Sequence, residues 1–221
     1  LGRPSAALRS GEHASAGRVR RMAAMQIPDL DAYGEYIGRH REELAVLAGN
    51  FLICVTSFFR DPDAFEAMRR CLRELLKGKQ PGDDIRVWVP GCATGEEVYS
   101  IAILLAEELG DNRDKYHIQL FATDINGDAV AAARAGSYPE ASLAGVDSAL
   151  IERYFSTVDG TYHIDKRLRD MTLFARQDLV QDAPFVRLDL VSCRNLLIYF
   201  KPELQDRVIK IFHYALRDHG V

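Results

Sequence analysis

Apolar positions change their spacing along this chain. In the first quarter they keep helical intervals. Leu30, Tyr33, Tyr36 and Ile37 follow a Pro28-Asp29 break, and Asp29 or Asp31 is placed to cap the helix they predict. A further helical stretch is predicted from about Arg41 to Ile53. From Ile85 the apolar runs shorten and become β-branched. Ile85 to Pro90 (IRVWVP) predicts a strand that ends in a glycine loop, and Glu96 to Leu109 predicts the helix after it. Ile118 to Asp124 predicts a second strand, Asp128 to Ala135 a helix, Thr172 to Ala175 a third strand and Leu188 to Cys193 a fourth. Glu203 to Leu216 is an amphipathic helix with Pro202 at its start, where proline is tolerated. Strands alternating with helices predict an α/β fold with a doubly wound parallel sheet. Tyr154 to Leu173 interrupts the alternation. Asp159-Gly160 is a hairpin signal there, so a small antiparallel β insertion is predicted at about 154–173.

These patterns divide the chain into a loose Gly/Ala/Ser-rich leader (1–17), a small N-terminal helical domain with a linker (18–76) and a sheet domain (77–221). With 221 residues, 48% of them hydrophobic, the chain can bury one sizeable core. A net charge of -4 with 27% charged residues is an ordinary soluble balance, and its acidity argues against a dedicated nucleic-acid binder. The longest apolar-rich stretch, Ala45 to Val55, is broken by Gly49 and Asn50 and falls short of the ~20 residues a membrane span needs. No charged-then-apolar signal segment opens the sequence. Cys54, Cys71, Cys92 and Cys193 show neither CxxC nor metal-type spacing, so no metal is expected and a reduced, cytoplasmic setting fits best.

The candidate chemistry sits in Val89 to Glu97, VPGCATGEE. The loop follows a strand and precedes a helix, at the carboxyl end of the sheet, where open α/β folds bind ligands. Gly91 and Gly95 allow close backbone approach, yet the spacing is neither GxGxxG nor a P-loop. A pyrophosphate would need the helix N-terminus, where Glu96 and Glu97 would repel it. A cationic nucleoside without phosphate, such as S-adenosylmethionine, suits an acidic loop. Two glutamates at a helix start are also ordinary dipole partners, and both readings stand on the loop alone. Asp124 ends the second strand, where a carboxylate can accept from both ribose hydroxyls or simply cap a helix.

Four blocks together resemble the CheR methyltransferases, especially the domain of CheB/CheR hybrid proteins. They are TSFFRDPDAF (Thr56 to Phe65), VWVPGCATGEEVYS (Val87 to Ser100), FATDIN (Phe121 to Asn126) and LDLVSCRNLLIYF (Leu188 to Phe200). The resemblance runs from about Arg18 to the C-terminus. It implies a class I methyltransferase fold that uses S-adenosylmethionine, yields S-adenosylhomocysteine and esterifies glutamate side chains in the cytoplasmic region of a chemoreceptor. It also implies roles for single residues. Thr56 and Arg60 would lie over the cofactor, Gly91 in its loop, Glu96 at the methionyl ammonium and Asp124 at the ribose. Asp178 and Leu179 would stand at the adenine, where the family usually has Asn-Leu; Cys54 stands where members often carry Asn or Ser. Arg194, Asn195 and Tyr199 would line the reacting end, with Arg60 and Tyr199 the catalytic pair. The basic cluster Arg18, Arg20 and Arg21 would face the acidic methylation region of the partner.

Plainer readings accompany these. Phe58 and Phe59 fit packing, Arg60 beside Asp61 a surface pair, and Tyr199 a core aromatic. A methyltransferase for another substrate and a cofactor-binding module without turnover are the rivals. The hairpin turn is compact, with only Gly160 between Val158 and Tyr162 besides Asp159 and Thr161, so no dependence on a receptor tether peptide is expected. Gly220 reads as the turn into a fifth strand. The sheet is therefore expected to lack its last three strands, leaving Leu188, Leu190 and Val191 on an unpaired, apolar edge.

Overall fold

A computed structural model of the chain describes residues 22–40 and 56–221. Contacts divide the chain into two compact units, Leu1–Val55 and Thr56–Val221. In the first, helix α1 (Leu30–Arg39) starts where the sequence predicts, and Asp29 is its cap, its Oδ1 accepting the Ala32 N–H at 2.8 Å. Tyr33 is the buried residue of α1. The leader, the cluster Arg18, Arg20 and Arg21, the helix expected from Arg41 to Ile53, and Cys54 lie outside the described residues.

The second unit opens with α2 (Pro62–Lys77), which starts on a proline and buries Phe65 and Leu72. The expected boundary at 76/77 would set this helix apart from the sheet. It belongs instead to the sheet's unit, because it packs on α3 (Glu96–Leu109) and its Arg69 and Arg73 both bind Glu108, at 3.2 and 2.6 Å. Between them runs β1 (Asp84–Pro90). β2 (His117–Asp124) and α4 (Gly127–Ala135) follow within one residue of the predicted bounds. Later come β6 (Thr172–Arg176), β7 (Leu190–Val191) and α7 (Pro202–Ala215). The four strands are parallel in the order β6-β2-β1-β7.

Strand alternation puts Ile85, Val87 and Val89 on one face of β1, in the main core with α3. Trp88 points to the other face, against Phe121, Phe185 and Phe212 of α7, and donates its indole N–H to Thr123 Oγ1 at 3.0 Å. α3 is apolar almost all round, from Val98 to Leu109, and is correspondingly buried.

Between α4 and β6 lies the predicted insertion, with one more strand than expected. β3 (Ser137–Pro139), β4 (Phe155–Val158) and β5 (Thr161–Ile164) form an antiparallel sheet in the order β3-β5-β4. α5 (Ser148–Tyr154) leads into β4, and α6 (Lys166–Asp170) leads out of β5. The β4–β5 turn has the two residues Asp159 and Gly160, both at positive φ, as a type I′ hairpin requires.

The expectation of an unpaired edge at β7 is corrected. Leu188 and Leu190 are buried. Leu188 bridges in parallel to Leu216, the Val191 N–H donates to Val221 O at 2.8 Å, and the Val221 N–H donates to Asp189 O at 2.9 Å. The segment after α7 thus lies along β7 and takes up its outer backbone groups. Gly220 fits this packing, since a Cβ there would stand 2.9 Å from Leu188 O. Asp189, itself buried, accepts from Lys79 Nζ (2.7 Å) and the Arg86 N–H (2.8 Å) and pairs with Arg217 at 3.2 Å.

Candidate functional site

The glycine loop leaves β1 at Pro90 and enters α3 through Gly95 at φ 96. Gly91 and Ala93 also take positive φ, so the loop folds tightly and shows backbone. Asp124, at the end of the neighbouring strand, fixes that fold. Its Oδ2 accepts the Ala93 N–H and its Oδ1 the Asn126 N–H, each at 2.9 Å. Asn126, not Asp124, caps α4, accepting from Asp128 and Ala129. Gly95 has a steric reason as well, because a Cβ would meet Ala133 Cβ at 2.9 Å and Tyr138 Oη at 3.0 Å.

Two carboxylates start α3. Glu96 is buried, accepts from Thr94 Oγ1 at 2.7 Å, and burial pushes its pKa up. Glu97 is also raised by burial, against the opposing pull of the Ser192 hydroxyl at 2.7 Å and of the nearby Arg194 and Arg60. One buried and one half-buried carboxylate at a backbone-rich loop favour a cationic ligand. They fit a group carrying ammonium and sulfonium charge and do not fit a phosphate.

The TSFFRD segment lies over this loop. Phe58 is buried edge-on against Tyr138 and Phe155, the packing role expected of it. The Phe59 N–H donates to Ser100 Oγ at 3.0 Å, and Ser100 donates in turn to the Glu96 carbonyl at 2.7 Å. Arg194, after β7, closes the ring by donating to the Arg60 carbonyl (2.8 Å) and Asp61 Oδ2 (2.9 Å). Its guanidinium also sits 5.0 Å over the Phe65 ring.

Of the residues singled out in the sequence, Arg60, Gly91, Glu96, Asp124 and Arg194 therefore share one constellation. Gly91 faces Leu196, whose side chain a Cβ would approach to 3.0 Å. Asp178 and Leu179 follow β6. The Asp178 Oδ1 is taken by its own turn, accepting from Val180 and Gln181, and Leu179 packs beside Trp88 and Phe121. Thr56 is half-buried, and Asn195 is exposed at positive φ. Tyr199 is 51% exposed in a single 3-10 turn, not the core aromatic of the plainer reading. Asp61 pairs with Arg194 at 2.9 Å. Glu97, Ser192 and Asp61 were missed as site residues. The doubled glutamate and the SCRN string were the signals for the first two. Nothing in one sequence marks a hydroxyl-to-carboxylate bond across 95 positions.

Two clefts among the described residues lie at the opposite, amino ends of the strands. One of about 590 Å³ is lined by Arg86, Arg113 and Arg167 with Asp84, Asp114 and Asp170, the other by Lys79, Asp189 and Arg217. Neither touches the constellation, and their balanced charges select no ligand. Among the described residues no His/Cys/Asp/Glu group could hold a metal, and no helix is long and apolar enough to cross a membrane.

Residues 54–221 match the family described as CheR methyltransferase, SAM binding domain. An uncharacterized 104.1 kDa protein of Rhodobacter capsulatus is 43% identical over 91% of this chain, which spans 21% of that protein. Cher3 of Pseudomonas putida, named as a methyltransferase, is 41% identical over 76% of this chain and 62% of its own length. A protein of Rhizobium etli named as a probable chemotaxis protein methyltransferase is 33% identical over 81% of this chain and 68% of its own. The chain thus spans less than two thirds of the first two relatives. Its sheet order, its acidic glycine loop and this match over most of its length lead to one assignment: the chain belongs to the CheR methyltransferase family and carries that family's S-adenosylmethionine-binding domain.

Proposed function

We propose that this chain transfers a methyl group from S-adenosylmethionine to glutamate carboxylates of a chemoreceptor-like protein, forming methyl esters. The observation that carries this reading is the gathering of Glu96, Glu97 and Asp124 with Arg60 and Arg194 at the carboxyl ends of β1, β2 and β7. When bound, the cofactor supplies an electrophilic methyl on a cationic sulfur. Asp124 has one carboxylate lone pair per oxygen left for ribose hydroxyls after its two backbone bonds. Glu96 would face the methionyl ammonium, Thr56 would lie over the cofactor, and Asp178 and Leu179 would stand at the adenine.

A glutamate acceptor, with its pKa of about 4.3, is already ionised at neutral pH, so transfer needs no general base. The work left to the protein is to strip water from the carboxylate and aim it. Such orientation can supply roughly 7–11 kcal/mol of a barrier. Arg60 has the fork geometry to orient a carboxylate. Tyr199, exposed, can hydrogen-bond the same group as the partner docks. Arg18, Arg20 and Arg21 would meet the acidic methylation region of that partner. The two-residue turn at Asp159-Gly160 supports independence from a receptor tether peptide.

The test is transfer of labelled methyl from S-adenosylmethionine to receptor cytoplasmic fragments. A base-labile product on glutamate is expected. A base-stable product, or transfer to a nucleic acid or small molecule only, would give the reaction to another substrate class. Tight cofactor binding without any transfer would make this a sensing module.

A further inference from the structure

We infer that Asp61 is a positioning residue for Arg60, acting through Arg194. This rests on the reading of Arg60 as a cofactor-facing group. The backbone on both sides of Arg60 is strained, with Phe59 at φ 50 and Asp61 at φ 59, both left-handed and neither a glycine. Such a conformation persists only where its surroundings hold it. The Phe59 side is held by Ser100 Oγ. The Asp61 side is held by one nitrogen of Arg194, which donates both to the Arg60 carbonyl at 2.8 Å and to Asp61 Oδ2 at 2.9 Å.

An aspartate just before a proline-started helix would ordinarily be its cap. Asp61 stands at the cap position, but its side chain makes no capping bond to α2. Its carboxylate is committed to Arg194, which is itself oriented by Phe65 below and by Glu97 at 3.8 Å. The Asp61 side chain is 62% exposed, so the pair contributes little to overall stability. What it sets is direction. Arg194 grips the peptide that carries Arg60, and Asp61 fixes where Arg194 grips. Arg60 thereby stays near Glu97, whose carboxyl feels its charge.

The test is a double-mutant cycle of Arg60→Ala and Asp61→Ala, read by the affinity for S-adenosylhomocysteine and by KM and kcat for methyl transfer. Asp61→Ala should weaken binding about threefold to tenfold while the chain stays folded, with a modest drop in unfolding midpoint because alanine adds strain at this left-handed position. It should have no further effect in the Arg60→Ala background. Asp61→Asn, which keeps an acceptor oxygen, should restore most of the affinity. Unchanged affinity in Asp61→Ala, or a loss that adds fully to that of Arg60→Ala, would overturn the inference. Because binding is read apart from turnover, a wild-type chain that binds but does not methylate receptor strikes the proposed function and leaves this cycle decisive.

Discussion

At Gly95 the loop has no room for a methyl group. Its φ of 96 is left-handed, and a Cβ would press on Ala133 and the Tyr138 hydroxyl. Gly95→Ala should therefore lose about 1–3 kcal/mol in chemical denaturation, and the cofactor site with it. Glu96 carries a second expectation. Burial holds its folded pKa above the usual carboxylate value, so the folded chain binds more protons in that interval. Its contribution to stability therefore falls as pH rises through the interval and returns on acidification. Binding a cationic cofactor runs the other way, since it requires the ionised form. Affinity for S-adenosylhomocysteine should fall as pH drops, with a midpoint above about 4.3. Glu96→Gln should bind more weakly at neutral pH and flatten that acid limb. An unaltered profile would remove Glu96 from the ammonium contact.

Among the elements, α3 joins the core to the site. Its middle is fully buried, and Leu105→Ala should cost about 2–5 kcal/mol. Ser100, just past its first turn, holds the TSFFRD segment through one hydroxyl. Ser100→Ala would leave the Phe59 N–H without an acceptor, a loss of about 1–3 kcal/mol, with faster amide exchange at Phe59 as the local sign. α3 was legible in the sequence to the residue because its acidic start and Gly110 end bracket a mostly apolar run. α2 was not drawn, although Pro62, Phe65, Met68 and Leu72 carry its start and spacing. β3 has three residues, too few for any period, and exists only because Tyr138 pairs with Tyr162. The fourth strand was drawn six residues long and is two, because Leu188 turns to Leu216 while Ser192 and Arg194 turn to Glu97 and Asp61. In the site, motif residues near one another in sequence were readable. The bonds from Ser192 and Arg194 back to α3 and Asp61 depend on chain crossings that no local pattern encodes.

For the molecule as a whole, Asp189 ties together parts that are far apart in sequence. Lys79 follows α2, Arg86 lies in β1 and Arg217 follows α7, and all three meet one buried carboxylate. Lys79 is nearly as buried as its partner. Removing the carboxylate would strand that ammonium, so Asp189→Ala should cost about 3–5 kcal/mol in urea denaturation. Asp189→Asn, which keeps the shape and acceptor oxygen but loses the charge, should cost less. The Arg86 N–H donates to this side chain and not to a neighbouring strand. That amide is therefore shielded while the carboxylate stays in place, and Lys79 and Arg217, both on its other oxygen, hold it there. In hydrogen exchange, Arg86 should behave as a slow proton of the global class in the native chain, released only with full unfolding. With Asp189→Asn it should fall to the rate of a local opening. One amide would then time the meeting of Lys79 and β1 with a carboxylate more than a hundred residues further along the chain.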